Sequence, residues 1–152
     1  MIPFQRFLDE QRDCVWRFAV ASVGRQDADD VFQETFLSAM KAYPRLRTGS
    51  NLQAWVMTIA HRKALDHHRA VKRRPTLPGE VPEQAHHDAR DPGDEVWQQV
   101  RELPPKQRAA ITLRFAADLD YEAIAKATGT SADAARKNVH EGMKKLRTEV
   151  TA

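Results

Sequence analysis

Three groups of side chains in this 152-residue sequence have the types and spacing to do chemistry. Asp30, Gln33, Glu34, Leu37 and Lys41 recur at i, i+3, i+4, i+7 and i+11, which on a helix forms a largely acidic ridge carrying one leucine. Such a ridge serves either as solvated surface or as a docking surface. Arg62, Lys63, Arg69, Lys72, Arg73 and Arg74 crowd into a second stretch, a density that matches a phosphate backbone, although basic residues also complement a helix C-terminus. Asp133, Arg136, Lys137, His140 and Lys144 fall on one face of a third. Arginine and lysine there can reach guanine edges or phosphates. Chemistry of the bond-breaking kind is poorly represented. Asp66-His67-His68 and His86-His87 invite a metal reading, yet neither has a zinc-hydrolase spacing, and there is no Gly-rich phosphate loop. No catalytic residue, metal or cofactor is expected.

Helices must position these groups. Both ends of the chain are rich in Ala, Leu, Arg, Lys, Glu and Gln and poor in strand-like alternation. Phe4, Phe7, Leu8, Val15, Phe18 and Ala19 make a helical stripe from about Pro3 to a stop at Gly24. Asp27 is placed to cap a second helix that ends before Pro44, with Ala28, Phe32, Thr35, Phe36, Ala39 and Tyr43 facing inward. After the basic loop PRLRTGS, Asn51 caps a long third helix that ends at Pro75. Trp55 there can stack on a base but is assigned first to packing, beside Leu52, Val56, Ile59 and Ala60.

Farther along, a short helix around Glu95 to Glu102 is broken by Leu103-Pro104-Pro105, and KQRAAITLRFAA reads as the next. DLDYEAIAKATGTSADAARKNVHEGMKKLR then carries a helix-turn-helix pattern. Ile124 and Ala125 point inward, Gly129 sits in the turn, Ala132 and Ala135 face back, and Val139, Met143 and Leu146 continue the stripe. Arg136 and Lys137 are then the best base or phosphate contacts, with Lys144 acting through charge.

Charge divides the chain. Residues 1–75 hold 13 Lys/Arg against 8 Asp/Glu, residues 76–94 hold 1 against 5, and residues 95–152 hold 10 against 8. The acidic middle, TLPGEVPEQAHHDARDPGD, is rich in Pro and Gly without an apolar period and reads as a flexible linker. An all-α protein follows, of two small helical domains, 1–75 and 95–152, joined through 76–94. At about 3.3 Å per residue that linker reaches roughly 60 Å. No apolar run approaches the roughly 18 residues that span a bilayer, and the N-terminus has no signal-peptide core. No membrane insertion is expected, and a cytoplasmic location is. The lone Cys14 excludes an internal disulfide and reads as a small buried hydrophobe.

The order DADDVFQETFL, NLQAWVMTIAHRKALDHHRAVKRR, linker, ELPPKQRAAITLRFAADLDYEAIAKATGTSADAARKNVHEGMKKLR resembles an extracytoplasmic-function (ECF) sigma factor of bacterial RNA polymerase. That resemblance implies a transcription initiation factor that binds core polymerase and directs it to promoters. It implies polymerase docking through Asp30, Gln33, Glu34 and Leu37, and capture of the melted minus-10 element near Arg45, Arg47, Asn51, Arg62, Arg69 and Arg73. It implies reading of the minus-35 duplex through Arg136, Lys137, His140 and Lys144, and an apolar outer surface of the second domain that meets the polymerase flap. An anti-sigma factor is a further implied partner.

Two departures bear on specificity. Many members have an asparagine where this chain has Arg62 and a base where it has Asn138, and Glu141 puts an acid near the recognition face. Promoter preference is therefore not transferable from relatives. The alternatives at this level are a sigma-like protein that mainly binds an anti-sigma factor and a stand-alone helix-turn-helix regulator.

Overall fold

The computed structural model describes residues 1–73 and 94–151, and these contain seven α-helices and no strand. The linker expected at 76–94 lies outside the described residues except for Asp94, which begins a helix, and His86 and His87 lie outside them too. Helix α1 spans Phe4–Val23, α2 Arg25–Ala42 and α3 Leu52–Arg73, with a 3-10 turn at Tyr43–Arg45 between the last two. After the linker come α4 (Asp94–Arg101), α5 (Pro105–Ile111), a π turn (Thr112–Ala116), α6 (Tyr121–Thr128) and α7 (Ala132–Thr151).

Local signals explain most boundaries. Gly24, at φ 87°, closes α1 by donating its N–H to the Val20 carbonyl at 2.9 Å. The same glycine starts α2, so the helix begins at Arg25 and the Asp27 cap expected from the sequence does not form. Asp27 lies inside the first turn, where its charge still suits the helix dipole. Asn51 caps α3 as expected, its Oδ1 accepting the Ala54 N–H at 3.1 Å. Asp120 does the same for α6 through the Ala123 N–H at 2.8 Å, and Ser131 for α7 through the Ala134 N–H at 3.1 Å. Gly129, at φ 69°, makes the left-handed turn between α6 and α7.

KQRAAITLRFAA, expected as one helix, divides in two. Its α-helical part stops at Ile111, and a π turn follows in which the Ala117 N–H reaches the Thr112 carbonyl at 3.2 Å. The widened turn admits one extra residue; Leu113, Ala116 and Ala117 are buried and Phe115 is left 54% exposed.

The two sets of helices share a core. Phe7, Phe18, Phe36, Tyr43, Val56, Met57 and Ala60 from the first set form one buried cluster with Leu113, Leu119, Ile124, Ala135 and Val139 from the second. Trp55, half-buried, packs on Phe7 and Tyr43 at ring distances of 5.7 and 6.3 Å. Tyr43 ties down the N-terminus by donating its hydroxyl to the Ile2 carbonyl. Cys14 is buried with its Sγ 3.9 Å from the Met57 sulfur. Val31, absent from the stripe read in the sequence, is buried against Ala19 and Ala28, whereas Phe32 is only half-buried.

Candidate nucleic-acid interface

On α2 the outward ridge is intact. Asp30, Gln33, Glu34 and Leu37 are all exposed, Leu37 at 54%, and Gln33 is steadied by a 3.4 Å bond from its Nε2 to Asp29. Met40, 50% exposed, extends the apolar part of this face by one turn beyond Leu37. Met40 belongs to neither of the two faces read from the sequence.

The cations of the first set line up on α3. Arg62, Arg69 and Arg73 are exposed and, at i, i+7 and i+11, share one side of the helix over about 16 Å of its axis. Arg45 and Arg47 are exposed in the loop at the other end of α3, where Ser50 folds the backbone back through a 2.7 Å bond from Oγ to the Arg47 carbonyl. Asn51 stands beside them, but its side-chain oxygen is occupied as the α3 cap. These six residues thus form a loop group and a helix stripe, not a single cluster.

Another side of α3 faces the second set of helices. His61, Ala64, Leu65 and His68 line a small crevice with Phe18 and Ser22 of α1, Pro105, Arg108 and Ala109 of α5, and Thr112. Burial, then the Arg108 charge, pushes the His61 pKa down to about 4, with Arg62 adding to it. His68 is likewise lowered to about 4 by burial first, then by Arg108, His67 and Arg101, against a raising hydrogen bond to the Ser22 backbone. Arg108 is itself lowered by burial. His67 turns to Asp27 instead, with its Nε2 3.0 Å from the carboxylate. His67 and His68 therefore turn to different partners, and no group of three His, Cys, Asp or Glu able to hold a metal occurs among the described residues.

The helix-turn-helix is built as its pattern requires. Ile124, Ala125, Ala135, Val139 and Leu146 are buried, and Asp133, Arg136, Lys137, His140 and Lys144 stand exposed on α7. Gly142 brings α7 against α5 so closely that an added Cβ would lie 2.4 Å from Ile111 Cδ1. Arg136 donates to Asp133 at 2.9 Å and lies over the Tyr121 ring, 5.0 Å from its centroid. Tyr121 is not among the contact residues read from the sequence. The exposed Phe115 of the π turn adds an apolar surface to this half.

Two family models cover these elements: Sigma-70 region 2 matches residues 8–74, and Sigma-70, region 4 matches residues 93–146. The ECF RNA polymerase sigma factor SigC of Mycobacterium tuberculosis is 33% identical over 141 residues, 89% of this chain and 76% of the relative. The chain belongs to the ECF sigma factors. A second relative, the ECF sigma factor SigD of Mycobacterium tuberculosis, is 33% identical over 160 residues, covering 95% of this chain and 76% of its own. Among solved structures, the sigma factor RpoE of Bartonella quintana, in complex with the anti-sigma factor NepR, matches with a TM-score of 0.79 and 22% identity. That match covers 98% of this chain and 97% of the other, and it is a likeness of fold. As a sigma factor the protein is a transcription initiation factor that directs RNA polymerase to promoters, and it is not an enzyme. None of the described helices is long and apolar enough to cross a membrane.

Proposed function

We propose that this sigma factor divides its work among three exposed surfaces. Residues 1–75 dock on core polymerase through Asp30, Gln33, Glu34 and Leu37 and hold the melted minus-10 strand with Arg45, Arg47, Asn51, Arg62, Arg69 and Arg73. A basic surface beside a loop suits a single strand, whose phosphates it can neutralise. Residues 95–152 read the minus-35 duplex through Arg136, Lys137, His140 and Lys144, with Phe115 on the surface that meets the polymerase flap. The observation that carries the reading is the α7 face, where exposed cations stand opposite a stripe buried at Ala135, Val139 and Leu146, the arrangement of a helix whose outer side enters a major groove.

In the compact form the two halves share a core, and their promoter surfaces sit on one packed body. Holding two promoter elements at once then calls for the halves to part, over a linker, residues 76–93, whose reach if extended is roughly 60 Å. Bartonella RpoE was solved with an anti-sigma factor, and this chain is proposed to have such a partner too, one that favours the closed body. Its place of action is the cytoplasm, with the polymerase.

The test is transcription from fragmented genomic DNA by sigma-free core polymerase, with and without the protein. Starts sharing two upstream elements at a fixed separation are the expected result. Their absence with a core shown to work with another sigma factor overturns the reading.

A further inference from the structure

Among the α7 cations, Arg136 is held on two sides. Its Nη1 donates to Asp133 Oδ1 at 2.9 Å, one helical turn back, and its guanidinium lies over the Tyr121 ring at 5.0 Å. The ring is itself fixed. Tyr121 is the first residue of α6, next to the capping Asp120, and Arg114 also lies over it at 5.3 Å while donating to the Leu119 carbonyl at 3.1 Å. Arg136 nevertheless remains 59% exposed, and Asp133 takes only one of the five guanidinium N–H donors.

We infer that Tyr121 and Asp133 are positioning residues that hold Arg136 ready for a guanine edge, making it the base-reading residue of this face. Lys137 and Lys144 are flexible point charges suited to phosphates. A planar fork stacked on an aromatic ring loses less freedom on forming a paired bond to the O6 and N7 of guanine. Phosphate contacts set register, whereas this contact carries sequence. The inference rests on α7 being the recognition helix.

Asp133 gives the arrangement a distinctive signature. Its side chain is 95% exposed, so it adds little to packing, yet it puts a negative charge beside the DNA. Removing that charge strengthens general attraction to phosphate while freeing Arg136. Affinity and selectivity then move in opposite directions.

The experiment uses holoenzyme reconstituted from full-length chain and core polymerase, with a promoter library randomised across the upstream element and read by sequencing transcripts. Overall affinity for one fixed promoter is measured in parallel against salt. Arg136→Ala is expected to abolish a guanine preference at one position with little change in the salt slope, whereas the loss of a phosphate contact would lower that slope by about one. Tyr121→Leu should weaken that same preference about two- to five-fold, the range of an exposed cation–π contact, while Tyr121→Phe keeps it. Asp133→Asn should weaken it about two-fold while raising overall affinity. It also serves as the second variant should Tyr121→Leu fold poorly. If Arg136→Ala erases the preference but Tyr121→Leu and Asp133→Asn leave it whole, the positioning roles are wrong and the recognition helix stands. If Arg136→Ala changes no position, the assignment of this face to base reading falls, and the inference with it.

Discussion

Gln53, at the start of α3, donates from Nε2 to the carbonyl of Ala117 at 3.1 Å, joining residues 64 apart in the chain. The bond links the helix that bears the basic stripe to the turn that leads into the helix-turn-helix. Arg101 of α4 makes a parallel tie by donating to the Val20 and Ala21 carbonyls at 3.3 and 3.4 Å, at the C-terminal end of α1. Replacing Gln53 by Leu leaves the Ala117 carbonyl without this donor and is expected to cost about 1 kcal/mol in chemical denaturation. Because the lost bond crosses between the halves, the radius of gyration from small-angle scattering should also rise. An unchanged midpoint and radius would remove Gln53 as a tie.

Acid should loosen the same seam. His61 and His68 are lowered from 6.5 to about 4, by burial and then by Arg108, so between those values the unfolded chain takes up protons that the folded one refuses. Stability is then complete above about pH 6.5 and declines as the pH falls toward about 4. Urea midpoints measured across this window should fall less steeply for His61→Gln than for the parent. Equal slopes in the two proteins would show that His61 does not titrate on unfolding.

Gly142 offers a test of the α5–α7 contact. A helix interior ordinarily favours Ala over Gly by about 1 kcal/mol, but here the new methyl would meet Ile111 Cδ1 at 2.4 Å and Gln107 Cβ at 3.4 Å. Overpacking of this kind costs about 1–3 kcal/mol, so Gly142→Ala is expected to destabilise by about 1 kcal/mol net. Ile111→Val deletes the opposing Cδ1. In that background Gly142→Ala should become neutral or stabilising in a thermal double-mutant cycle, and strict additivity would count against the close crossing.

Reversing charge on the α2 ridge separates docking from DNA reading. Asp30→Lys with Glu34→Lys is expected to weaken binding to core polymerase about tenfold or more, measured by fluorescence anisotropy. The upstream guanine preference of whatever holoenzyme still forms should be unchanged. Full core affinity in the double variant would place the docking surface elsewhere.

Much of this was legible in the sequence where the deciding contacts are local. Asn51 caps α3 through an N–H three residues ahead, Gly24 and Gly129 supply the positive φ that their turns need, and the exposed charges of α2, α3 and α7 follow from helical spacing. Reading failed where one residue served two elements or where packing overrode a regular pattern. Gly24 ends one helix and begins the next, displacing Asp27 from the cap to the first turn, where it meets His67 from 40 residues away. The π turn likewise interrupts an unbroken run of helix formers, and periodicity does not reveal it because Leu113, Ala116 and Ala117 keep the i, i+3, i+4 spacing of a regular helix face.

By itself the sequence determined an all-helical chain, the positions of its helices, a helix-turn-helix near its end and the charged faces left to solvent. Each of these depends on neighbours within a few residues, where geometry is set by the helical repeat. Only the tertiary structure decided that the two halves share one core, that His61 and His68 lie buried beside Arg108, that Gly142 admits Ile111, and that Arg136 rests on Tyr121. The physical reason is that an apolar stripe specifies which side of a helix is buried, while its partner depends on how residues far apart in the chain pack together.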